Sequence, residues 1–219
     1  MTPDDRLAAL HARIAAAARI ARRDPADITL VAVSKTHPVE AIRPLLAAGQ
    51  RDFGENRVQE AAAKWPSLRE EFADARLHLV GQLQSNKAAE AVALADAIHS
   101  IDRPSLVAAV ARAIDATGRR PHCFIQVNIG DEPQKGGCTV AELPILLAEA
   151  QSANLPVAGL MCVPPAAIEP APYFALLAKI ARDAGLTGLS MGMSDDVEQA
   201  VSLGATHVRV GSALFGDRA

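Results

Sequence analysis

Lys35 stands directly after residues 28–34 (ITLVAVS), a β-branched apolar run that predicts a buried strand. Lysine is rarely placed where it must be partly buried. An amine in such a place loses its proton more readily, and a neutral amine is the nucleophile that forms a Schiff base. The plainer alternative is a lysine that snorkels to water or pairs with Glu55. A second signal lies near the end of the chain. Ser190-Met191-Gly192-Met193-Ser194 is a glycine turn leading into a helix start, and Gly211-Ser212 follows the last apolar strand. Backbone N–H groups and serine hydroxyls in such turns cradle anions, phosphate above all. Ordinary capping by Ser194 with Gly192 as the turn residue is compatible with that role. Arg209 lies on the last strand. A side chain facing inward there needs an acceptor, which a ligand or an acidic neighbour would supply.

A lysine and a phosphate cradle across one mouth fit a cofactor with an aldehyde and a phosphate. Pyridoxal 5′-phosphate (PLP) has both. An arginine at its ring nitrogen disfavours protonation there and leaves a weaker electron sink. The other polar candidates say less. Asn56 and Asn128 at strand ends bind a ligand or tie loops. His78, within a strand, reads as a hydrogen-bonded core residue. His37, His99, His122 and His207 show no metal-ligand spacing, and Lys135 in a polar loop reads as solvated.

These residues need elements to bring them together. Residues 3–22 form an amphipathic helix capped by Thr2, with Leu7, Leu10 and Ile14 on one face and Asp24-Pro25 as its stop. Strands are then predicted at 28–34, 52–54, 77–81, 97–101, 123–129, 156–161, 188–191 and 206–210. Helices are predicted at 38–48, from about 56, after 85, at 104–117, 140–152 and 173–184, with one more capped by Ser194. Residues 130–137 (GDEPQKGG) read as a mobile polar loop. Eight βα units predict a closed (β/α)8 barrel, with an open doubly wound sheet as the alternative; no GxGxxG follows the first strand to favour the latter. In a barrel, the residues collected above share the C-terminal mouth.

The length of 219 residues suits one domain spanning 1–219. A net charge of −3 argues against nucleic-acid binding, and no apolar run is long enough for a membrane helix. Three cysteines without CxxC spacing, and the lack of a basic start to the chain, point to a reducing cytoplasm. No apolar interface stripe stands out, so a monomer is expected.

Several blocks resemble the pyridoxal phosphate homeostasis proteins. They are Val33-Ser34-Lys35-Thr36, residues 53–60 (FGENRVQE), 78–87 (HLVGQLQSNK), Gln126-Val127-Asn128, Gly159-Leu160-Met161, 190–194 (SMGMS) and 208–216 (VRVGSALFG). The likeness runs from about Leu30 to Gly216. It implies a single (β/α)8 TIM barrel of the alanine racemase N-terminal-domain type, with an extra N-terminal helix. It implies PLP as a Schiff base on Lys35, phosphate contacts from Ser190, Gly192, Gly211 and Ser212, and Arg209 near the pyridine nitrogen. Asn56 and Met161 match residues lining the family's cofactor pocket. Members of the family buffer and deliver PLP, affect amino-acid and keto-acid balance, and have no established catalytic activity. Apo forms of PLP-dependent enzymes are the recipients this implies; separately, the places of Lys87 and Lys135 near loops make them candidates for holding PLP transiently. Departures include Gln82 in place of a common proline, Ser212 in place of threonine, and Cys162 beside the pocket, which raises the question of redox sensitivity.

Two alternatives stand beside a PLP carrier. One is a PLP-dependent racemase or related Cα-chemistry enzyme. It needs a second acid/base opposite Lys35, for which the lone Tyr173, Cys162 or His78 are the choices. The other is a phosphate-binding barrel without a covalent cofactor.

Overall fold

The computed structural model describes residues 2–166 and 168–216. Eight parallel strands close into a barrel in sequence order: β1 (Thr29–Val33), β2 (Asp52–Glu55), β3 (Arg76–Leu79), β4 (Ala97–Ile101), β5 (His122–Val127), β6 (Val157–Cys162), β7 (Gly188–Ser190) and β8 (His207–Val210). Closure is made by β8 against β1, with Thr29 opposite His207 and Ala32 opposite Val210. Helices α1 (Pro3–Ile20), α2 (Val39–Ala47), α3 (Val58–Glu71), α4 (Ala88–Leu94), α5 (Pro104–Thr117), α6 (Leu143–Ser152), α7 (Ala171–Asp183), α8 (Val197–Ser202) and α9 (Ser212–Phe215) accompany the strands. Among the described residues no helix is long and apolar enough to cross a membrane.

Local chemistry explains most element ends. Thr2 and Asp5 form a capping box ahead of α1. Pro104 opens α5, and Gly118 closes it in the left-handed region at φ 70°. α1 ends at Ile20 rather than 22, with Arg22 at φ 56°; Asp24 caps a separate 3-10 turn. α6 starts three residues later than its pattern suggests. Thr139 and Glu142 hold each other's backbone N–H groups in a capping box around the turn that leads into it. α8 is entered from Asp196, not Ser194, and Asp196 Oδ1 accepts the N–H of Met193 at 2.5 Å.

The main apolar core lies between strands and helices. Trp65 of α3 and Phe53 of β2 are both fully buried there, with ring centroids 5.4 Å apart. α1 packs across α8 and α9, beside the barrel's last two loops. Inside the barrel, alternation along the strands brings in a different set: Val31, Val33, Phe124 and Met161, together with Asp52, His78, His99, Ser190, His207 and Arg209. His99 stacks on Phe124 at 4.4 Å, and His207 meets Phe124 edge-on at 5.0 Å.

This interior makes the fold acid-sensitive. Burial holds His99 well below the ordinary imidazole range and pushes His207 down to about 3. The unfolded chain binds protons on these rings below about pH 6.5, whereas the folded chain refuses them. Stability is therefore complete above that pH and declines as pH falls toward the folded values. The expected slope is about 1.4 kcal/mol per pH unit for each histidine. Urea midpoints measured from pH 7.5 to 5 check it, and a flat series contradicts it.

Candidate functional site

At the C-terminal mouth of the barrel a cavity of about 540 Å³ is lined by Lys35, His37, Asn56, Arg209, Gly211 and Ser212, with Val33, Val80, Val163, Met193, Ser194, Asp195 and Gly216 completing the wall. The loops after β1, β2, β7 and β8 meet here, as barrel topology requires.

Lys35 is partly buried at the end of β1 and faces this cavity. The turn it stands on is tightly determined. Thr36 has φ 66°, which costs a β-branched residue about 1–3 kcal/mol. Its N–H donates to Glu60 Oε1 at 2.5 Å. Lys64 Nζ donates to Glu60 at 2.5 Å, to Glu55 Oε1 at 3.1 Å and to the Ser34 carbonyl at 3.2 Å. Glu55 is fully buried; burial raises its carboxyl above the usual range, against the pull of Ser34 and Lys64. Glu55 thus pairs with Lys64, not with Lys35. Both carboxylates and Lys64 brace the backbone behind the lysine.

Arg209 is buried in the cavity wall. Its Nη1 donates to Ser190 Oγ at 2.6 Å and its Nη2 to the Cys162 carbonyl at 2.9 Å. Both acceptors are uncharged, and among the described residues no carboxylate lies within salt-bridge distance of it. Burial works against this cation and lowers its pKa, with Cys162 and Asp196 opposing from further off. A buried guanidinium held only by neutral groups favours an anionic guest.

Across the mouth, Ser194 Oγ and Ser212 Oγ lie 3.1 Å apart. Ser194 is spared for this because Asp196 takes the cap position. Arg13 of α1 holds the Ser194 carbonyl at 3.1 Å and Glu198 Oε1 at 2.6 Å, pinning the turn from outside. Gly192 sits at φ 96°, and a Cβ there would come within 2.4 Å of Ala200 Cβ. Its carbonyl accepts the Arg209 N–H at 3.0 Å.

Of the residues expected from sequence, Lys35, Asn56, Arg209, Gly211 and Ser212 line one cavity. Ser190, Gly192 and Met161 are buried behind the wall rather than in it. Ser190 Oγ is engaged by Arg209 and by His99 Nδ1 at 2.8 Å. Asp195, Val80 and Val163 were not foreseen as lining. His37 stacks on Phe215 at 4.5 Å, a contact no local pattern announces. Lys135 is not solvated. It pairs with Glu132 at 2.5 Å and donates to the carbonyls of Val163 and Pro164, while Asn128 clasps Glu132 through two further bonds. The 130–137 loop is therefore tied to the barrel rather than loose. Lys87 pairs with Glu90 at 3.1 Å, and neither Lys87 nor Lys135 lines the cavity.

Cys162 is fully buried, and burial pushes its thiol up to about 12, as it does for Cys123 and Cys138. Thiolate is the reactive form. At pH 8 Ellman's reagent is expected to find no fast-reacting thiol in the folded protein and three after unfolding. A fast-reacting Cys162 would restore the redox sensitivity its position suggests.

The family described as alanine racemase, N-terminal domain, matches residues 6–219. The chain is 43% identical to the pyridoxal phosphate homeostasis protein of Pseudomonas aeruginosa, covering 98% of this chain and 95% of that one. It is 39% identical to the protein of that name from Escherichia coli K12, over 97% and 95%. Among solved structures it resembles PipY of Synechococcus elongatus PCC7942 with PLP bound, with a TM-score of 0.86, 38% identity and coverage of 98% and 100%. Alanine racemase from Clostridium difficile 630 shares the fold alone, with a TM-score of 0.68, 15% identity and coverage of 88% of this chain and 53% of that one.

Proposed function

Because the chain belongs to the pyridoxal phosphate homeostasis proteins, built on the alanine racemase N-terminal-domain fold, we propose that it binds PLP and serves intracellular PLP homeostasis. It buffers the cofactor and delivers it to apo-enzymes, which affects amino-acid and keto-acid balance. The chain acts as one domain over 1–219, as a monomer, in the cytoplasm.

The observation that carries this function is Arg209, a buried cation without a carboxylate partner among the described residues, in the same wall as Lys35. PLP offers an aldehyde to Lys35 and a ring nitrogen that accepts from a donor-only guanidinium, so it answers both groups. Lys35 is the covalent anchor, held in place by the strained Thr36 turn. The Ser194–Ser212 hydroxyl pair and the Gly211 turn receive the phosphate. Gly192 shapes that turn, and Ser190 contributes through Arg209. Asn56 and Met161 complete the site, one in the wall and one beneath it. When bound, PLP supplies an aldehyde that joins an amine reversibly, so the attachment can be undone for delivery. Arg209, a donor only, is the ring-nitrogen partner. It keeps that nitrogen unprotonated, which suits storage rather than turnover.

Racemisation needs a second acid/base at the reacting carbon. Tyr173 lies in α7, outside the cavity wall. Cys162 is held as a thiol, and His78 sits beneath Ser190 and His99. No turnover of amino acids is proposed.

The test is an absorbance spectrum of the purified protein before and after borohydride, followed by peptide mapping by mass spectrometry. A yellow band that borohydride removes, with the pyridoxyl mass on the Lys35 peptide, supports the function. A colourless protein that takes up no added PLP, or a label on other lysines alone, overturns it. Assays of amino-acid racemisation on the loaded protein separate carrier from enzyme.

A further inference from the structure

A line of hydrogen bonds runs through the barrel interior, beyond what PLP binding itself requires. Asp52 on β2 accepts from Arg76 Nη2 at 2.6 Å through one oxygen and meets His78 Nε2 at 2.9 Å through the other. His78 Nδ1 lies 3.0 Å from His99 Nε2. His99 Nδ1 lies 2.8 Å from Ser190 Oγ, which accepts from Arg209 Nη1 at 2.6 Å. The five residues come from β2, β3, β4, β7 and β8. Asp52, Arg76, His78 and His207 line a second cavity of about 630 Å³ at the N-terminal mouth. Arg209 lines the first cavity at the opposite mouth. The line therefore joins the two ends of the barrel.

Its ends dictate which way its protons point. A guanidinium only donates, and a carboxylate only accepts. Ser190 Oγ accepts from Arg209 and keeps its own proton free for His99 Nδ1. His99 then carries its proton on Nε2 and gives it to His78 Nδ1. His78 carries its proton on Nε2 and gives it to Asp52. In this arrangement Ser190, His99 and His78 each give one proton and each receive one. Burial above all keeps His99 neutral, with the Arg209 cation in support. Asp52 stays ionised: burial opposes this, but His78 and Arg76 outweigh it. From the other elements, His207 of β8 faces both rings at 6.0 and 5.8 Å, and Phe124 of β5 stacks on His99.

We propose that Asp52, His78 and His99 are positioning residues that set the hydrogen-bond polarity of Ser190 and Arg209, so that an ionised carboxylate at one mouth determines how firmly the PLP ring is held at the other. This rests on the PLP-binding function above. In Asp52→Asn the acceptor becomes an amide that can also donate to His78. A reversed line delivers two donors to Ser190 Oγ and leaves the serine proton without its acceptor. Arg209 then loses the alignment of one of its two anchors.

The test uses the full chain with 15N-labelled histidine. In the unmodified protein, both His78 and His99 are expected to show a bare Nδ1 and a protonated Nε2, and PLP loading is expected to move the His99 Nδ1 signal. PLP release from Asp52→Asn is expected to quicken about fivefold, the worth of roughly one hydrogen bond. The absorbance band of the loaded variant should also shift, which a merely structural role would not cause. His99→Phe keeps the stack on Phe124 while cutting the line, and should release PLP faster to a similar degree. A proton on Nδ1 of either ring overturns the proposal. So does release at the parent rate, with an unchanged band, from both loaded variants. Absence of PLP uptake by the unmodified protein instead overturns the PLP function and the coupling with it.

Discussion

Lys35→Ala is expected to abolish the borohydride-reducible band and the pyridoxyl label while leaving the fold intact. The side chain is partly buried at a strand end, and the groups that brace its turn act on the Ser34 and Thr36 backbone. Alanine keeps that backbone and its bonds. Non-covalent contacts at the phosphate cradle and Arg209 remain, so some PLP still binds. Retention is expected to fall roughly a hundredfold, equivalent to ~3 kcal/mol. Equilibrium dialysis and urea unfolding measure the two halves separately. Undiminished covalent labelling in the variant would move the anchor to another lysine.

Arg209→Leu is expected to separate binding from stability. The arginine is a buried cation whose side chain, among the described residues, is satisfied by Ser190 Oγ and the Cys162 carbonyl alone. Its replacement relieves a desolvation penalty but strands two acceptors, so the unfolding free energy is expected to stay within ~1 kcal/mol of the parent. PLP affinity is expected to drop roughly ten- to a hundredfold, as charge-assisted contacts are lost. Dialysis against PLP and a urea titration at one pH check both. A large loss of stability with unchanged affinity would make Arg209 a structural residue. The site would then need another source of positive charge.

The outline of the fold was legible because its signals are local. Strand β4 and helix α5 begin and end where the sequence places them. Pro104 and Gly118 mark the helix, and an apolar run marks the strand. The convergence of Lys35, Asn56, Arg209, Gly211 and Ser212 follows from barrel topology once eight strands are counted. What stayed hidden depends on partners far apart in sequence. Nothing local says that Glu55 prefers Lys64 to Lys35, because the choice is made by how α3 lies over β2. Nothing local says that the Ser190 hydroxyl is taken by His99 and Arg209, since those contacts cross the barrel. Ser194 and Asp196 are both good caps by type. Only the geometry of the turn assigns the cap to Asp196 and leaves Ser194 for Ser212. Lys135 reads as solvated by composition, yet the loop folds back so that it reaches two carbonyls.

The barrel seam between β1 and β8 sets a timetable for the nascent chain. Lys35 leaves the ribosome 159 to 177 residues ahead of Ser194, Arg209 and Ser212. At ordinary synthesis rates the interval is roughly 10 to 35 s. During it the lysine exists without the arginine and serines that would hold an anionic guest. Arg13 must likewise wait for the Ser194 carbonyl it clamps. Cofactor loading as proposed here thus follows synthesis of β8 and the loop after it, and ribosome-bound chains that stop before β8 should emerge without it.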